Sequence, residues 1–487
     1  MLSLKKILYC ALLLLLIPLV NLKAQNQNNI LVTNTVQAFQ DSAAKLFIKD
    51  IIVKGNKRTK EYIILREIQF KKGDSIVIAS LNKELQQAKQ QVYNTTLFSE
   101  IKVELVVLSA YDIMVIIDVR ERWYIYPVPQ FKPVDRNFNE WIKTYNASLK
   151  RVNYGLKFVH YNLSGRRDQL RIYFLNGFSR DFSFSYNAPY SNKALTEGFV
   201  FGAGYSQKKE IPYKTNFDNK LLFYTSDSLR SDFVGSNFYV TAGYTLRRGF
   251  FNKHIFNAGF SRLTVSDSIL LPGNNPAYFN SNNTYANILE LTYTYQHAKL
   301  NNVLYATKGK SAFVSIIKKG LGFTGGINSL TIEAGLNKYF DLGKKWYSSI
   351  QLNGKIRLPF YQAYINQKGL GYGDNYLRGQ EYLVVDGVGT ALIKSTLKKK
   401  VLDVKIPLPF KLKTLSYIPL TIFAKTYADL GYAYNKQQFV TNLNNKLLYT
   451  GGFGIDILTF YDVNLRFEYS FNQLNQKGLF LHTQSGF

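Results

Sequence analysis

The chain of 487 residues is strongly basic: 61 Lys and Arg face 32 Asp and Glu, and the formal net charge is +29. Its single cysteine excludes a disulfide framework, so hydrogen bonding and packing must stabilise the fold. A basic surface of this size predicts an anionic neighbour such as lipid phosphate.

The N-terminal segment has the composition of an export signal. A basic start is followed by the apolar stretch 7–20 and by a small-residue cleavage pattern that ends at Ala24. This pattern predicts a secretory signal peptide at 1–24, and the lone Cys10 lies inside it. The polar residues 25–45 are rich in Asn and Gln and are predicted to form a mobile leader.

Residues 46–122 have the pattern of a small mixed domain. A strand ends at the turn signal Gly55–Asn56, a short helix follows, and 79–95 is the clearest helix of the chain. The apolar residues of that helix share one face: Leu81, Leu85, Ala88 and Val92. Two alternating runs then close as a hairpin. The order strand, helix, helix, strand, strand predicts an α+β domain whose sheet is covered by two helices.

Three prolines set residues 123–140 apart from this domain. Pro127, Pro129 and Pro133 have a fixed φ and lack the amide hydrogen that a sheet ladder requires. The segment is therefore predicted to be an extended linker that does not pair with a strand.

From residue 141 to residue 487 the chain consists of short runs in which apolar and polar residues alternate, separated by turn residues. This period of two predicts strands, and no run is long enough for a transmembrane helix. At about ten residues per membrane strand plus a connection, the region holds roughly sixteen strands. The predicted fold is mainly β: a transmembrane antiparallel β-barrel preceded by the small α+β domain. Composition alone also allows a soluble β-rich secreted protein.

One arginine in a glycine-rich stretch requires a partner. In GYGDNYLRGQEYLVVDG, Arg378 stands directly before Gly379. Alternation in two later strands places Asp429 and Asp403 on the lumen side, and Gly431 leaves room for an approaching group. A guanidinium suits two carboxylates better than an ammonium does, so a loop folded into the barrel would pair Arg378 with both acids. The alternative is an arginine that is solvated in an outside loop.

Two sets of motifs carry resemblances. VKGNKRT, GDS, the pair Leu97–Phe98 and IDVRE, in this order within 46–122, resemble a POTRA domain, the polypeptide-transport-associated module. LRGQ, VLDVKIPLP and YADLGYAY resemble the lid and strand motifs of BamA/TamA-type outer-membrane barrels. The sequence departs from the latter family at Gln380, where an aromatic residue is usual.

The second resemblance implies a barrel of sixteen strands. It implies that Leu377, Arg378 and Gly379 form an inward-folded lid, with Arg378 paired to Asp429 and to Asp403. A single POTRA domain favours an accessory or specialised member of the family over the general insertase.

The resemblance also implies a seam between the first and last barrel strands. The first strand is expected near RVNYGLKFVHY, which contains Gly155 and Phe158, and the last in KGLFLHTQSGF, which contains Phe480 and ends at Phe487. A weakly paired seam can open and template an incoming strand. Alternatively, the glycines of these strands only relieve the curvature of the barrel.

The function implied is insertion or translocation of polypeptides in a bacterial outer membrane, with the POTRA-like domain in the periplasm. The expected partners are outer-membrane lipid and lipopolysaccharide, unfolded or nascent polypeptides and accessory assembly subunits, but no nucleic acid. The histidines are far apart in sequence, so no cofactor, no metal site and no covalent chemistry are expected: His160, His254, His297 and His482. A transporter for one dedicated client, a passive diffusion channel and an outer-membrane phospholipase are the alternatives.

Overall fold

The computed structural model describes residues 32–33, 43–134, 141–142, 145–225, 233–321, 326–408, 417–436 and 441–484. The predicted signal peptide and Phe487 lie outside these residues. The predicted leader is described only at its positions 32–33 and 43–45. Within the described ranges, no helix has the length and apolar character needed to cross a membrane.

The N-terminal domain is a five-stranded sheet covered by two helices, with strand order β1-β4-β5-β2-β3. Its elements are β1 (Val32–Thr33), β2 (Lys45–Lys54), α1 (Glu61–Leu65), β3 (Ser75–Val77), α2 (Ile78–Tyr93), β4 (Phe98–Val107) and β5 (Asp112–Glu121). The predicted apolar face of α2 packs in the core, where Leu85 and Val92 are buried with Ile113 and Ile117 of β5. The short strands β1 and β3 extend the sheet beyond the prediction.

A second sheet contains sixteen strands, each antiparallel to its neighbours, and forms the barrel that the sequence predicts. Its strands are β6 (Ile125–Pro133), β7 (Val152–Tyr161), β8 (Gln169–Gly177), β9 (Ser179–Ala188), β10 (Glu197–Lys208), β13 (Gly235–Arg248), β14 (Asn252–Val265), β15 (Tyr285–Leu300), β16 (Gly309–Lys319), β17 (Ser329–Gly343), β18 (Trp346–Leu358), β19 (Gly389–Pro407), β20 (Tyr417–Tyr434), β21 (Leu447–Leu458), β22 (Asn464–Asn472) and β23 (Lys477–Gln484). Between β10 and β13 lies a separate hairpin of β11 (Glu210–Thr215) and β12 (Leu221–Thr225).

The two faces of the barrel wall have opposite character. Along β20, Lys425, Tyr427 and Asp429 are buried on the lumen side, whereas Ala428 and Leu430 between them are exposed. Many large apolar side chains are exposed on the wall, among them Phe174, Phe201, Leu336, Ile350, Leu352, Phe453 and Ile455. An apolar outer face of this extent suits contact with lipid rather than with water.

The prediction of an unpaired linker at 123–140 is wrong over Ile125–Pro133, which forms the first barrel strand. This strand, β6, pairs with β7 from Ile125 opposite His160 to Pro133 opposite Val152. Its prolines are tolerated because β6 is an edge strand that pairs with one neighbour in the described chain. The barrel therefore begins near residue 125 rather than at 141.

The first strand of the large sheet contacts a turn near the other end of the sheet. The Tyr126 ring of β6 contacts the Tyr461 ring in the turn between β21 and β22, at 6.4 Å between centroids. Among the described residues, however, β6 and β23 have no backbone pairing with each other. The described barrel is thus unpaired at one seam, between β6 and β23.

Candidate functional site

The connection between β18 and β19, residues 359–388, is a lid that folds into the barrel. Its glycines allow the necessary turns, since Gly371 and Gly379 have φ of +84° and +93°. Leu370 and Val385 form an isolated bridge that closes the base of the lid. Apolar lid residues pack in one cluster against the wall: Leu370, Leu377, Leu383 and Val385 with Leu392, Ala433, Leu443 and Leu448.

Arg378 lies at the centre of this contact and is bound to Asp429. Its Nε and its backbone N–H both donate to Asp429 Oδ2 at 2.9 Å, and its Nη2 donates to Asp429 Oδ1. Nη1 donates to Thr396 Oγ1 at 2.9 Å, and Nη2 also donates to the Ser395 carbonyl at 3.1 Å. The guanidinium stacks over the Tyr427 ring at 4.0 Å from its centroid. With the side chains 10% and 0% exposed, this is a bidentate ion pair shielded from solvent.

Two glycines make this approach possible. A Cβ on Gly431 would lie 2.6 Å from Leu377 Cδ1, so the absence of a side chain on β20 leaves the space that the lid occupies. A Cβ on Gly379 would lie 2.7 Å from Ser470 Cβ of β22. Gln380 is also buried, and its Nε2 donates to Gln473 Oε1 at 3.3 Å. The lid thus accommodates a polar residue where the related family has an aromatic one.

Asp403 is not a partner of Arg378, and that prediction is wrong. Asp403 is exposed and accepts hydrogen bonds from Lys400 Nζ at 2.6 Å and from Thr421 Oγ1. It pairs with Thr421, eight positions along β20 from Asp429, or roughly 25 Å at about 3.3 Å per residue. Asp403 does lie on the lumen face, because Thr421 shares its face with Asp429, so the prediction fails in distance along the strand and not in face.

The predicted seam residues are only partly at the seam. Gly155 and Phe158 lie on β7, which pairs with β6 and with β8, so their assignment to the first strand is wrong. Phe480 lies on β23, the last described strand, and its ring contacts the lid residue Tyr382 at 5.7 Å between centroids. The lid therefore touches the last strand of the barrel directly.

A charged network continues from the lid along the lumen wall. Lys425 Nζ donates to Asp456 and to Glu468 Oε1, the latter at 2.6 Å, and all three side chains are buried. Tyr305 donates its O–H to Asp456 Oδ2 at 2.7 Å. A cavity of about 810 Å³ lies beside this network and is lined in part by Arg378. The lumen below the lid is thus polar and open to solvent-sized molecules.

Next to this network the structure groups Glu381, Glu468 and His482, a cluster that sequence reasoning missed. The His482 Nε2 lies 3.4 Å from Glu381 Oε1 and 3.5 Å from Glu468 Oε2. The three residues come from the lid, from β22 and from β23. Glu468 and His482 lie on the two strands of one hairpin, and the inward fold of the lid adds Glu381, which no sequence spacing indicates.

At the opposite end of the barrel, strand-connecting turns hold the POTRA domain. Arg247, at the end of β13, donates through Nη1 and Nη2 to the two carboxylate oxygens of Glu67 at 2.6 and 2.7 Å. Tyr190 donates its O–H to the same carboxylate at 2.6 Å. Burial alone would raise the pKa of Glu67, but the hydrogen bonds and the charge of Arg247 lower this pKa to about 2.

Further contacts fix the domain on other sides. Arg122 Nη2 donates to Asp462 Oδ2 at 2.8 Å, and Tyr93 donates its O–H to Asp462 Oδ1 at 2.9 Å. Arg58 Nε donates to the Asn162 carbonyl at 2.8 Å. These pairs join residues far apart in sequence, and no local pattern indicates them.

The fold is a small α+β domain joined to a barrel of sixteen antiparallel strands with an inward-folded loop. The POTRA family model, described as the surface antigen variable number repeat, matches residues 46–122. None of the curated proteins matches the chain in sequence.

Two solved structures are similar to this chain. CdiB from Escherichia coli has 11% identity and a TM-score of 0.53, covering 90% of this chain and 75% of that chain. BamA from Haemophilus ducreyi lacking POTRA domains 1-3 has 13% identity and a TM-score of 0.49, covering 90% of this chain and 84% of that chain. With the POTRA match, the likeness to CdiB confirms the POTRA-plus-barrel architecture that the resemblance to BamA/TamA-type proteins predicts.

Proposed function

We propose that the protein inserts or translocates polypeptides in the bacterial outer membrane, with its POTRA domain in the periplasm. Incoming chains pair with a strand at the seam, and the lid shields the lumen while the seam is open. The observation that carries this proposal is the unpaired seam between β6 and β23 beside a lid that contacts β23. The apolar outer wall and the basic charge suit lipid and lipopolysaccharide as the surroundings.

The two edges of the seam differ in hydrogen-bonding capacity. Tyr124 O accepts from Tyr161 N, and Val134 N donates to Arg151 O. The backbone N–H and C=O groups of even-numbered residues around β6 therefore point to β7. The odd-numbered residues of β6 therefore direct their backbone groups to the seam. Three of those five positions are proline and have no N–H to donate: Pro127, Pro129 and Pro133.

The facing edge of β23 has a full set of donors. Asn472 N donates to Gln476 O, so the backbone N–H and C=O groups of the even-numbered residues of β23 point to β22. The odd-numbered residues then direct both N–H and C=O to the seam: Lys477, Leu479, Leu481 and Thr483. Because β6 offers few donors, the two edges cannot form a complete ladder with each other. An incoming strand would find its complete ladder on β23.

Photocrosslinking tests this arrangement, and a photoreactive residue at Leu481 should capture client polypeptides in cells. The same residue at Leu336, an exposed position of β17 away from the seam, is the matched control and should capture none. A third probe at Phe131 of β6 should capture less than the probe at Leu481. Equal capture at Leu481 and Leu336 would reject the seam as the client site.

Replacing the seam prolines tests the same idea from the other side. A chain with Pro127, Pro129 and Pro133 changed to Ala regains three seam donors, so β6 and β23 should pair and client assembly should fall. Pro212→Ala in the separate hairpin is the control and should leave assembly unchanged. Unchanged assembly in the triple variant, with β6–β23 pairing demonstrated by crosslinking, would contradict a role for the open seam.

Depletion of the protein distinguishes the broader alternatives. Loss of many outer-membrane barrels would indicate a general insertase, and loss of one secreted protein would indicate a dedicated transporter. No change in either inventory would reject both. Conductance that persists in Arg378→Ala while the inventories stay normal would then favour a passive channel.

A further inference from the structure

We propose that Glu381, Glu468 and His482 bind a divalent cation of the zinc class and that this cation ties the lid to the last two strands of the barrel. The site follows from the grouping of these side chains and does not depend on polypeptide insertion being the function. It would make the position of the lid sensitive to a metal.

The donor atoms have the separations that a metal of this class requires. Zinc bonds to His nitrogen and to carboxylate oxygen are about 2.0–2.1 Å long, which places tetrahedral donors about 3.3–3.4 Å apart. His482 Nε2 is 3.4 Å from Glu381 Oε1 and 3.5 Å from Glu468 Oε2. All three donor atoms lie within 4.8 Å of one another. A small inward movement of the carboxylates would complete three of four positions.

Two of these donor atoms have no hydrogen-bond partner in the described part of the chain. Glu381 Oε1 and His482 Nε2 are buried and lack hydrogen-bond partners among the described residues. A buried polar atom without a partner is costly, and coordination to a cation removes that cost. An imidazole nitrogen beside two carboxylates selects zinc-class ions over Mg²⁺ or Ca²⁺, which prefer oxygen alone.

The second oxygen of each carboxylate is used to orient it. The Gly379 N–H donates to Glu381 Oε2 at 2.8 Å, and Lys425 Nζ donates to Glu468 Oε1 at 2.6 Å. The Tyr376 ring stacks on the His482 ring at 5.8 Å between centroids. Such outer bonds fix metal ligands in known metal sites. Here they leave one oxygen of each glutamate directed at His482.

The surroundings set the strength of binding and allow access. Asp429 neutralises Arg378, and Lys425 is shared by Asp456 and Glu468, whereas Arg466 and Lys398 also line the cavity and oppose cation binding. The three side chains of the cluster line the cavity of about 810 Å³, which leaves room for entry and for a water as fourth ligand. Lys394 also lines this cavity and will weaken binding by repulsion.

Bound metal would connect three separate elements. Glu381 belongs to the lid, Glu468 to β22 and His482 to β23, whose outer edge is the seam. Coordination would therefore hold the lid against β23 and restrain both from moving apart. The aromatic contact between Tyr382 and Phe480 supports the same junction without metal.

The test uses the full chain, untagged, purified in detergent and stripped with a chelator. Co²⁺ binding is followed by its visible absorption, and Zn²⁺ binding by competition and by elemental analysis. One ion per chain should bind, and His482→Gln and Glu381→Gln should each weaken binding at least about tenfold. His254→Gln removes a histidine of β14 outside the cluster and should bind as the parent chain does.

A second readout separates a metal site from a structural role of these residues. Amide exchange in the lid should slow when Zn²⁺ is added to the parent chain and should not change in His482→Gln. If the parent chain binds no stoichiometric Zn²⁺ or Co²⁺, the proposal is wrong whether or not the variants fold. It is also wrong if Glu381→Gln and His482→Gln bind the ion as tightly as the parent chain.

Discussion

Each end of the barrel contains a buried arginine that forms a bidentate ion pair with a carboxylate. At the lid end Arg378 binds Asp429, and both residues belong to the barrel. At the POTRA end Arg247 binds Glu67, which belongs to another domain. The first pair fixes a loop inside the lumen, whereas the second fixes a domain across the mouth.

The two ion pairs also differ in their surroundings. The lid also has an apolar cluster and a cation–π contact at Tyr427, so Arg378 acts within a packed surface. The POTRA contact around Glu67 also has an apolar part, because Tyr190 and Leu195 pack with the core of the POTRA domain, and there Arg247 and Tyr190 both bind one carboxylate. We expect this contact to weaken when Glu67 is protonated.

The largest expected effect is that of Arg378→Ala. Removing the guanidinium leaves Asp429 buried without its cation, at a cost of about 3–5 kcal/mol. The free energy of unfolding in lipid vesicles, measured by urea titration, should fall by this amount. Arg262→Ala, which removes an exposed arginine stacked on Tyr285, should cost at most about 1 kcal/mol. Equal losses in the two variants would show that the lid arginine has no special partner.

The next effect concerns pH at the POTRA end. The pKa of Glu67 is about 2 in the folded protein against 4.5 for the free side chain. A lowered pKa contributes stability above pH 4.5 that is lost as the pH falls toward 2, on the order of 3 kcal/mol. Amide exchange at the interface should accelerate over this window.

Glu67→Gln provides the control for the pH effect. Its interface exchange should be faster than that of the parent chain at neutral pH and should depend little on pH between 5 and about 2. If the parent chain shows the same flat profile, the pair with Arg247 does not hold the domain.

A smaller effect is expected from filling the space at Gly431. In Gly431→Ala the new Cβ would meet Leu377 at 2.6 Å, and overpacking of this kind costs about 1–3 kcal/mol of unfolding free energy. In Gly354→Ala the nearest atom is 4.0 Å away, so this glycine of β18 is a matched control. Adding Gly431→Ala to Leu377→Ala should cost less than it does in the parent chain, because Leu370 Cδ1 at 3.1 Å is the only close contact that the double variant keeps. A full cost in that background would mean that the clash is elsewhere.

The sequence anticipates features that depend on local periodicity. Alternation along β20 correctly places Lys425, Tyr427, Asp429 and Gly431 on one face. It also places Asp403 correctly on the lumen face, because Asp403 lies opposite Thr421, which shares its face with Asp429. Alternation predicts the face of a residue but not its distance from a partner along the strand, so it does not exclude Asp403 as a partner of Arg378.

Other features depend on which strands become neighbours. Proline argues against a strand in the centre of a sheet, but β6 lies at an edge, and the sequence does not reveal that position. The pair of Arg247 with Glu67 joins residues 180 positions apart. The cluster of Glu381, Glu468 and His482 likewise exists only once the lid lies inside the barrel. The pair with Glu67 and the place of Glu381 follow from the tertiary fold and not from any local pattern.

The most direct test of the lid contact is a double-mutant cycle on Arg378 and Asp429, measured as the free energy of unfolding in lipid vesicles. Arg378→Ala with Asp429→Asn should lose far less than the sum of the single losses, because the second change removes the stranded charge. The parallel cycle of Arg378→Ala with Asp403→Asn should be additive, since Asp403 binds Lys400. Additive losses for Arg378 and Asp429 would contradict the charge-paired lid.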